Sequence, residues 1–426
     1  MRHIAVIGAG ITGVTTAYLL LQEGYRVSII DSHRYPAMET SFANGGQLSA
    51  SNAEVWNRWS TVLKGLAWML RSDAPLLINP RPNWHKASWM AEFVWNIRQY
   101  EANTIATTRL AIAARNELFA MAEHEDIDFD HERRGILHVY RTKRDFDHAL
   151  KVNVLLQKGG LERRAVSNEE IHSIEPALQD RFYGGFFTPS DSTGDIHKFT
   201  RGLARACERH GADFLLDRTV QAIENGSTGI RINVTVGSAD NIGYANDVIG
   251  ADGVVICAGV GSRKLAYSVG DRLNVYPVKG YSITVSLQNE LSQAAAPSVS
   301  LLDDSAKIVA SRLGPDRLRV AGTAEFNDFN RDIRADRISP LVTWTRRLFP
   351  GMDTDRIAPW TGLRPMLPGM MPVVRASKRS RVFYNTGHGH LGWTLAGITA
   401  RMTINLLAQQ NYLPTRPRPQ WHRGEL

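Results

Sequence analysis

The stretch MRHIAVIGAGITGVTTAYLLLQEGYRVSIID constrains this chain more than any other, because it leaves little choice of local fold. His3–Ile7 is a short apolar run suited to a buried parallel strand. Gly8, Gly10 and Gly13 supply a G-x-G-x-x-G turn, Val14–Leu21 continues as an apolar helix, and Arg26–Ile30 is a second strand that ends on Asp31. The first glycine permits a tight turn, the second lets backbone approach a pyrophosphate, and the third lets helix and strand pack closely. The positive end of the helix then faces the phosphates. Asp31 stands where a carboxylate accepts both hydroxyls of an adenosine ribose, which disfavours a 2′-phosphorylated ligand. This unit alone does not separate NAD from FAD.

Three further segments bear on that choice. The loop after Asp31 is crowded with small and hydroxylated residues, and Thr40, Ser41, Asn44, Gly45, Gly46 and Gln47 offer donors for a pyrophosphate and a flavin edge. An ordinary polar surface loop would have the same composition. From Asn385, NTGHGHLGWT is a glycine-rich turn (Gly387, Gly389, Gly392) that opens an apolar helix from Trp393 to Leu407. A helix start aimed at a flavin pyrimidine carbonyl stabilises the negative charge that develops on reduction. In the middle of the chain, Val248–Gly259 reads as a turn and then a buried strand ending at Ala258 and Gly259. Cofactor-like segments at the start, middle and end imply a domain assembled from separate pieces.

The stretches IGAGITGV, ETSFANGGQLS, STGDIH, VYPVKGYSITV (Val275–Val285), WTGLRPMLP (Trp360–Pro368) and NTGHGHLGWT run across nearly the whole length. On them the chain resembles the D-amino-acid oxidase superfamily of FAD enzymes, and within it the D-amino-acid dehydrogenase group. The resemblance implies an α/β fold, α+β overall. A Rossmann-like FAD-binding domain (1–50, 190–272 and 357–426) is joined to a substrate domain (51–189 and 273–356) with a mixed or antiparallel sheet and covering helices. It also implies cofactor contacts at Ile11, Thr12, Ser32, Val220, His390, Leu391, Trp393 and Thr394, beside those named above. One departure is plain: the group follows GLRPM with T-P-D-G-x-P-x-x-G, whereas this chain has Leu367-Pro368-Gly369-Met370-Met371-Pro372-Val373-Val374-Arg375. The acid–glycine pair and the closing glycine are lost, which bears on local flavin contacts and on the substrate.

Oxidising an amino acid requires that its carboxylate be held, that the Cα–H bond point at the flavin, and that the amine be neutral when hydride leaves. Arg364 in GLRP is the expected carboxylate clamp, since its planar fork binds two oxygens at once. A structural ion pair is the competing role for it. Tyr281 is expected to add a hydroxyl donor, and Lys279, two residues away on the same strand, to face the flavin. His388 and His390 flank the last glycines and stand as flavin or substrate contacts or as local hydrogen bonders. No general base is obligatory if hydride leaves a neutral amine. The imino acid would then hydrolyse to a 2-oxo acid and ammonia, with electrons passing to a quinone or a protein partner. Two alternatives stay open: an oxygen-using glycine, sarcosine or proline-type amine oxidase, and a non-catalytic FAD subunit of a larger complex. The carboxylate clamp speaks against the second. A cyclic D-amino acid is as plausible a substrate as D-alanine.

Composition narrows the partners. The 426 residues, 43% of them hydrophobic, suffice for two domains. The two cysteines, Cys207 and Cys257, suggest a reducing, cytoplasmic setting; neither has metal-ligand spacing, and neither lies near Arg364, so FAD is expected to be non-covalent and no metal is expected. No run reaches the ~20 apolar residues needed to cross a bilayer. Net charge is +8, but the arginines are scattered without interleaved aromatics, which argues against nucleic acid. Trp56, Trp59, Trp68, Trp84, Trp89 and Trp95 crowd one amphipathic region. Two readings fit them: helices that cover the substrate domain, or a surface that docks peripherally on an anionic membrane or a partner. The Pro- and Arg-rich end from Leu413 to Leu426 is expected to hug the surface or fray.

Overall fold

Strand His3–Ile7 is buried because it is paired on both sides, in parallel, with Arg26–Ile30 and with Gly253–Ile256. In the computed structural model, which describes residues 1–68, 75–226, 229–237 and 245–414, this trio is the centre of a six-stranded sheet. Asp213–Leu215 extends one edge, and Val382–Thr386 followed by antiparallel Val373–Ala376 extends the other. Helices Ile11–Gln22, Ile196–Arg209 and Gly392–Gln409 contribute side chains to one core with the sheet. The Rossmann-like cofactor domain is therefore drawn from the start, the middle and the end of the chain. The close approach expected of its third glycine is literal: a Cβ on Gly13 would lie 1.8 Å from the Gly8 carbonyl oxygen.

The second sheet runs in the order Ile357–Met366, Tyr276–Ser286, Arg317–Phe326, Ile308–Leu313, Ser300–Asp303, Ile136–Tyr140, Gly184–Thr188, Arg164–Val166. It is mixed: Ser300–Asp303 lies parallel to Ile136–Tyr140, and Leu76–Ile78 adds in parallel to Arg317–Phe326. The turn through Gly314 and Pro315 closes a hairpin, with Leu313 opposite Arg317. On one face Ile338, Leu341 and Trp344 of helix Ala335–Leu348 pack against Tyr281, Ile283 and Val320. The other face lines a chamber.

Several segments sit otherwise than expected. Val248 belongs to a strand, Ala245–Ala251, that joins a separate three-stranded sheet, so the turn comes later, between Ala251 and Gly253. Ile357–Met366, placed with the cofactor pieces on sequence, is the edge strand of the large sheet. Helix Tyr100–His124, placed with the substrate pieces, buries Leu118 and Met121 in the cofactor-domain core. The C-terminal stretch from 415 onward and the side chain of Trp68 lie outside the described residues. No described helix is long and apolar enough to cross a membrane.

Because Gly13 has no room for even one methyl group, Gly13→Ala is expected to cost roughly 2–4 kcal/mol of stability and most of the bound flavin. Thermal denaturation and flavin content of the purified variant measure both, and a wild-type Tm with full flavin would refute the packing argument.

Candidate active site

The cofactor end is built on an open helix terminus. Gly10 at the N-cap brings no side chain, Ser41 Oγ takes the Ile11 amide at 3.0 Å, and the Thr12 and Gly13 amides face out of the helix. Gly8 turns at a φ of +110°, directly over the Cys257 carbonyl. The Asp31 carboxylate accepts the amides of Ala9 (2.6 Å) and His33 (2.8 Å); burial raises its pKa against those bonds. Ser32 follows it at the strand end.

The loop after Asp31 is pinned by its carbonyls. Ser282 Oγ donates to Ala43 O, Arg319 to Asn44 O and Ser311 Oγ to Gly45 O, at 2.8, 3.2 and 2.8 Å, which turns the loop's amides the other way. Gly46 takes a positive φ with its amide on Asn44 Oδ1, and Gln47 is tied to the Ser300 hydroxyl and the Leu301 carbonyl. The STGDIH motif braces this loop. Thr193 pairs with Gln47, and Asp195 caps the next helix and binds Arg317.

At the far end Gly387 and Gly389 adopt positive φ, where a Cβ would strike Leu367 or the Met366 sulfur. Their turn delivers His390, Leu391 and Thr394 to the chamber, and Gly392 begins the helix. Trp393 goes into the cofactor-domain core, its ring edge-on to Phe129. Gly259 turns at φ +51° just after Ala258, and Val220 is buried in another core among Ile223 and Ile232. The open helix end, the outward amides and a chamber of about 720 Å³ fit a bound FAD lying across these segments.

Arg364 lies at the floor of that chamber. It stands opposite Val278 in the sheet, and its guanidinium rests over Gly280, where a Cβ would be 2.3 Å from Nη1. Its one weak bond, 3.4 Å, goes to the Thr323 carbonyl on a bulge, and among the described residues it has no acidic partner. Burial pulls its pKa down to about 10, so it stays charged at neutral pH. The competing role, a structural ion pair, is not what it has.

Tyr281 and Lys279 occupy the opposite face of that strand, against helix Ala335–Leu348. The Tyr281 hydroxyl donates to Glu325 at 2.7 Å, and Lys279 pairs with the same carboxylate at 3.2 Å. The Tyr281 hydroxyl and the Lys279 ammonium are thus engaged by Glu325 rather than directed at Arg364, although Tyr281 is among the residues that line the chamber. His388 is likewise enclosed, with Nε2 at 2.9 Å from the Thr399 hydroxyl. His390, two residues on, is the histidine that reaches the chamber. It stacks on Trp56 at 4.7 Å, and its Nε2 donates to the Asn52 carbonyl at 3.2 Å, which leaves Nδ1 unprotonated. Burial holds His388 down at about 3 and His390 at about 4.

Trp56 and Trp360, whose ring covers Gly362, wall the chamber, and Trp89 is buried behind it with its indole N–H on the Met366 carbonyl. Trp59, Trp84 and Trp95 face outward. The tryptophan region thus divides: Trp56 walls the chamber, and Trp59, Trp84 and Trp95 are exposed. Ser311, Arg319 and Thr323 carry no local motif, and only the paired strands bring them to the site.

These features define an FAD-dependent oxidoreductase, and the chain belongs to that family: residues 3–406 match the family model described as FAD dependent oxidoreductase. Among curated proteins, the chain is similar to D-amino acid dehydrogenase 3 of Mesorhizobium japonicum, 62% identical over 96% of this chain and 97% of the relative. A D-amino acid dehydrogenase of Paramagnetospirillum magneticum is 39% identical over 95% and 94%. Among solved structures, a glycine oxidase from Geobacillus kaustophilus (20% identity, TM-score 0.72, 99% and 97% covered) and an L-proline dehydrogenase from P. horikoshii (15%, TM-score 0.72, 100% and 99%) share the fold.

His388 and His390 bind fewer protons folded than unfolded, so stability is full above pH 6.5 and falls as pH drops from there towards their folded values. Together they are expected to remove about 3 kcal/mol between pH 6.5 and 5. Urea unfolding at intervals across that range measures it, and a flat profile would contradict it.

Proposed function

We propose that this protein is an FAD-dependent D-amino-acid dehydrogenase that deaminates its substrate oxidatively to a 2-oxo acid and ammonia. The observation that carries the reading is Arg364, a part-buried charge in the wall of the cofactor chamber that has no acidic partner among the described residues. A buried cation without a counter-ion is costly unless a ligand supplies one, and an amino-acid carboxylate does so in two parallel hydrogen bonds. The names of its curated relatives support the same substrate class.

The bound FAD, held non-covalently, supplies two-electron oxidation of the substrate C–N bond. The protein's part is to bind, orient and keep dry. Arg364 fixes the carboxylate over Gly280 and so sets the direction of the Cα–H bond. Trp56 and Trp360 exclude water from the reacting centre. His390 stays neutral at physiological pH, so it adds no positive charge beside Arg364, and its unprotonated Nδ1 is the free acceptor of the ring. The relevant cofactor contacts are Gly8, Gly10, Ile11, Thr12, Gly13, Asp31 and the Thr40–Gln47 loop at one end, and Gly387 to Thr394 at the other. Electrons leave to a quinone rather than to oxygen. That acceptor suits a peripheral station on an anionic membrane, where exposed Trp59, Leu63 and Trp95 form an apolar surface and Arg98 lies 3.9 Å over the Trp95 ring.

Anaerobic mixing with D-amino acids is expected to bleach the flavin, with recovery fast with a quinone analogue and slow in air. Bleaching by glycine or sarcosine alone, with fast recovery in air, would move the protein to the oxidases. Arg364→Leu should lower kcat/KM at least ~100-fold, as expected for removing one side of a buried charged pair. The triple variant Trp59→Ser, Leu63→Ser, Trp95→Ser should bind anionic vesicles ~10-fold or more weakly while keeping turnover with a soluble acceptor. Unchanged sedimentation with vesicles would remove the membrane station.

A further inference from the structure

The chamber has a second arm that the reaction above does not use. Its walls include Ala149, Val152, Leu302 and Val309, and at its end stand Arg163, Tyr140 and His138. His138 and Tyr140 alternate onto the chamber face of strand Ile136–Tyr140, while Leu137 and Val139 go to the core behind it. Arg364 and His138 lie on strands five steps apart in the sheet, about 24 Å at the usual spacing. One small amino acid cannot reach both ends.

Arg163 is the unusual group. It is only 6% exposed, yet its Nε has no hydrogen-bond partner, and among the described residues it forms no ion pair. Its Nη2 donates to the Tyr140 hydroxyl at 3.3 Å, and its Cζ lies over the Phe186 ring, 4.5 Å from the ring centre. A stacked guanidinium with one edge unsatisfied is shaped for a planar anion with two oxygens. His138 is held well below its usual pKa by burial and by Arg163, so it is neutral, and its Nε2 is shared with Ser51 Oγ at 3.0 Å. Lys307 is matched by Asp304 at 2.5 Å. Arg163 is therefore a buried cation of the arm without a carboxylate of its own among the described residues, and a planar carboxylate matches its open edge better than a tetrahedral phosphate does.

We propose that this arm is a second ligand site, separate from Arg364, in which Arg163 binds a small monocarboxylate. That the 2-oxo acid product is one such ligand rests on the function proposed above; the site itself does not.

The test is the stoichiometry of pyruvate binding to the oxidised holoenzyme, measured calorimetrically without substrate. Wild type should bind two equivalents, Arg364→Leu one and Arg163→Met one, with affinity at the second site falling ~30-fold or more in Arg163→Met. Pyruvate at the Arg364 site should still perturb the flavin spectrum in Arg163→Met. Val152→Phe, which narrows the arm and leaves Arg163 in place, should abolish the same equivalent and covers the case in which Arg163→Met does not fold. One equivalent in wild type, or a second that survives both changes, overturns the proposal. So does displacement of the second pyruvate by chloride as readily as by acetate. If D-amino acids fail to reduce the flavin, the function is wrong, yet the equivalent bound by Arg364→Leu still decides the arm.

Discussion

One part-buried guanidinium, without a carboxylate partner among the described residues, sets the terms for the rest of this molecule. Arg364 rests on Gly280, and that contact exists only because the strand has a bare backbone there. The cost of desolvating the guanidinium must be borne by a frame that cannot relax to hydrate it. The large sheet supplies that frame. Tyr276–Ser286 is paired along its length on both sides, with a bulge that presents the Thr323 carbonyl, and its back face is sealed by helix Ala335–Leu348. The Lys279, Tyr281 and Glu325 group on the sealed face is the counterpart of this arrangement: there a buried cation does have its carboxylate, and it is structural.

The first strand, helix and second strand, and the spread of their sheet over the start, middle and end of the chain, were legible from residue order, because each depends on local steric rules. What was not legible depends on which face of a paired strand a residue occupies. Tyr281 and Lys279 sit beside Gly280 in sequence and yet carry their polar ends to Glu325 rather than to Arg364, since alternation in the sheet separates neighbours. His388 and His390, for which the sequence left the same two roles open, part for a similar reason: the positive-φ glycines between and before them rotate one ring into the helix packing and the other against Trp56. Nothing in the spacing of these residues reports that choice. Val248 was misplaced because an apolar residue on an outer strand reads like the approach to a buried one.

The altered segment after GLRPM has a physical reading. Met370 stands where the related sequences place glycine, and it holds the left-handed conformation that glycine takes freely, at a φ of +61°. Its side chain is buried with Trp89, Phe93 and Tyr276. Strain of order 1 kcal/mol or somewhat more is exchanged for a filled core beneath the chamber wall. The neighbouring backbone is held from outside the segment, by Asn57 on the Pro368 carbonyl and Asn103 on that of Gly369. Without the acid and the glycines, the segment is an ordered wall with an apolar side chain packed beneath it.

The pairing of Gly253–Ile256 with both His3–Ile7 and Val382–Thr386 carries a consequence for biosynthesis. At ~5–20 residues per second, the nascent first strand and glycine turn wait tens of seconds before the last strand of their sheet emerges from the ribosome. Until then the apolar helix Ile11–Gln22 has no Gly392–Gln409 to lean on. Such delayed, long-range closure makes the nascent chain a natural client for chaperones, and it ties retention of the nucleotide to completion of translation.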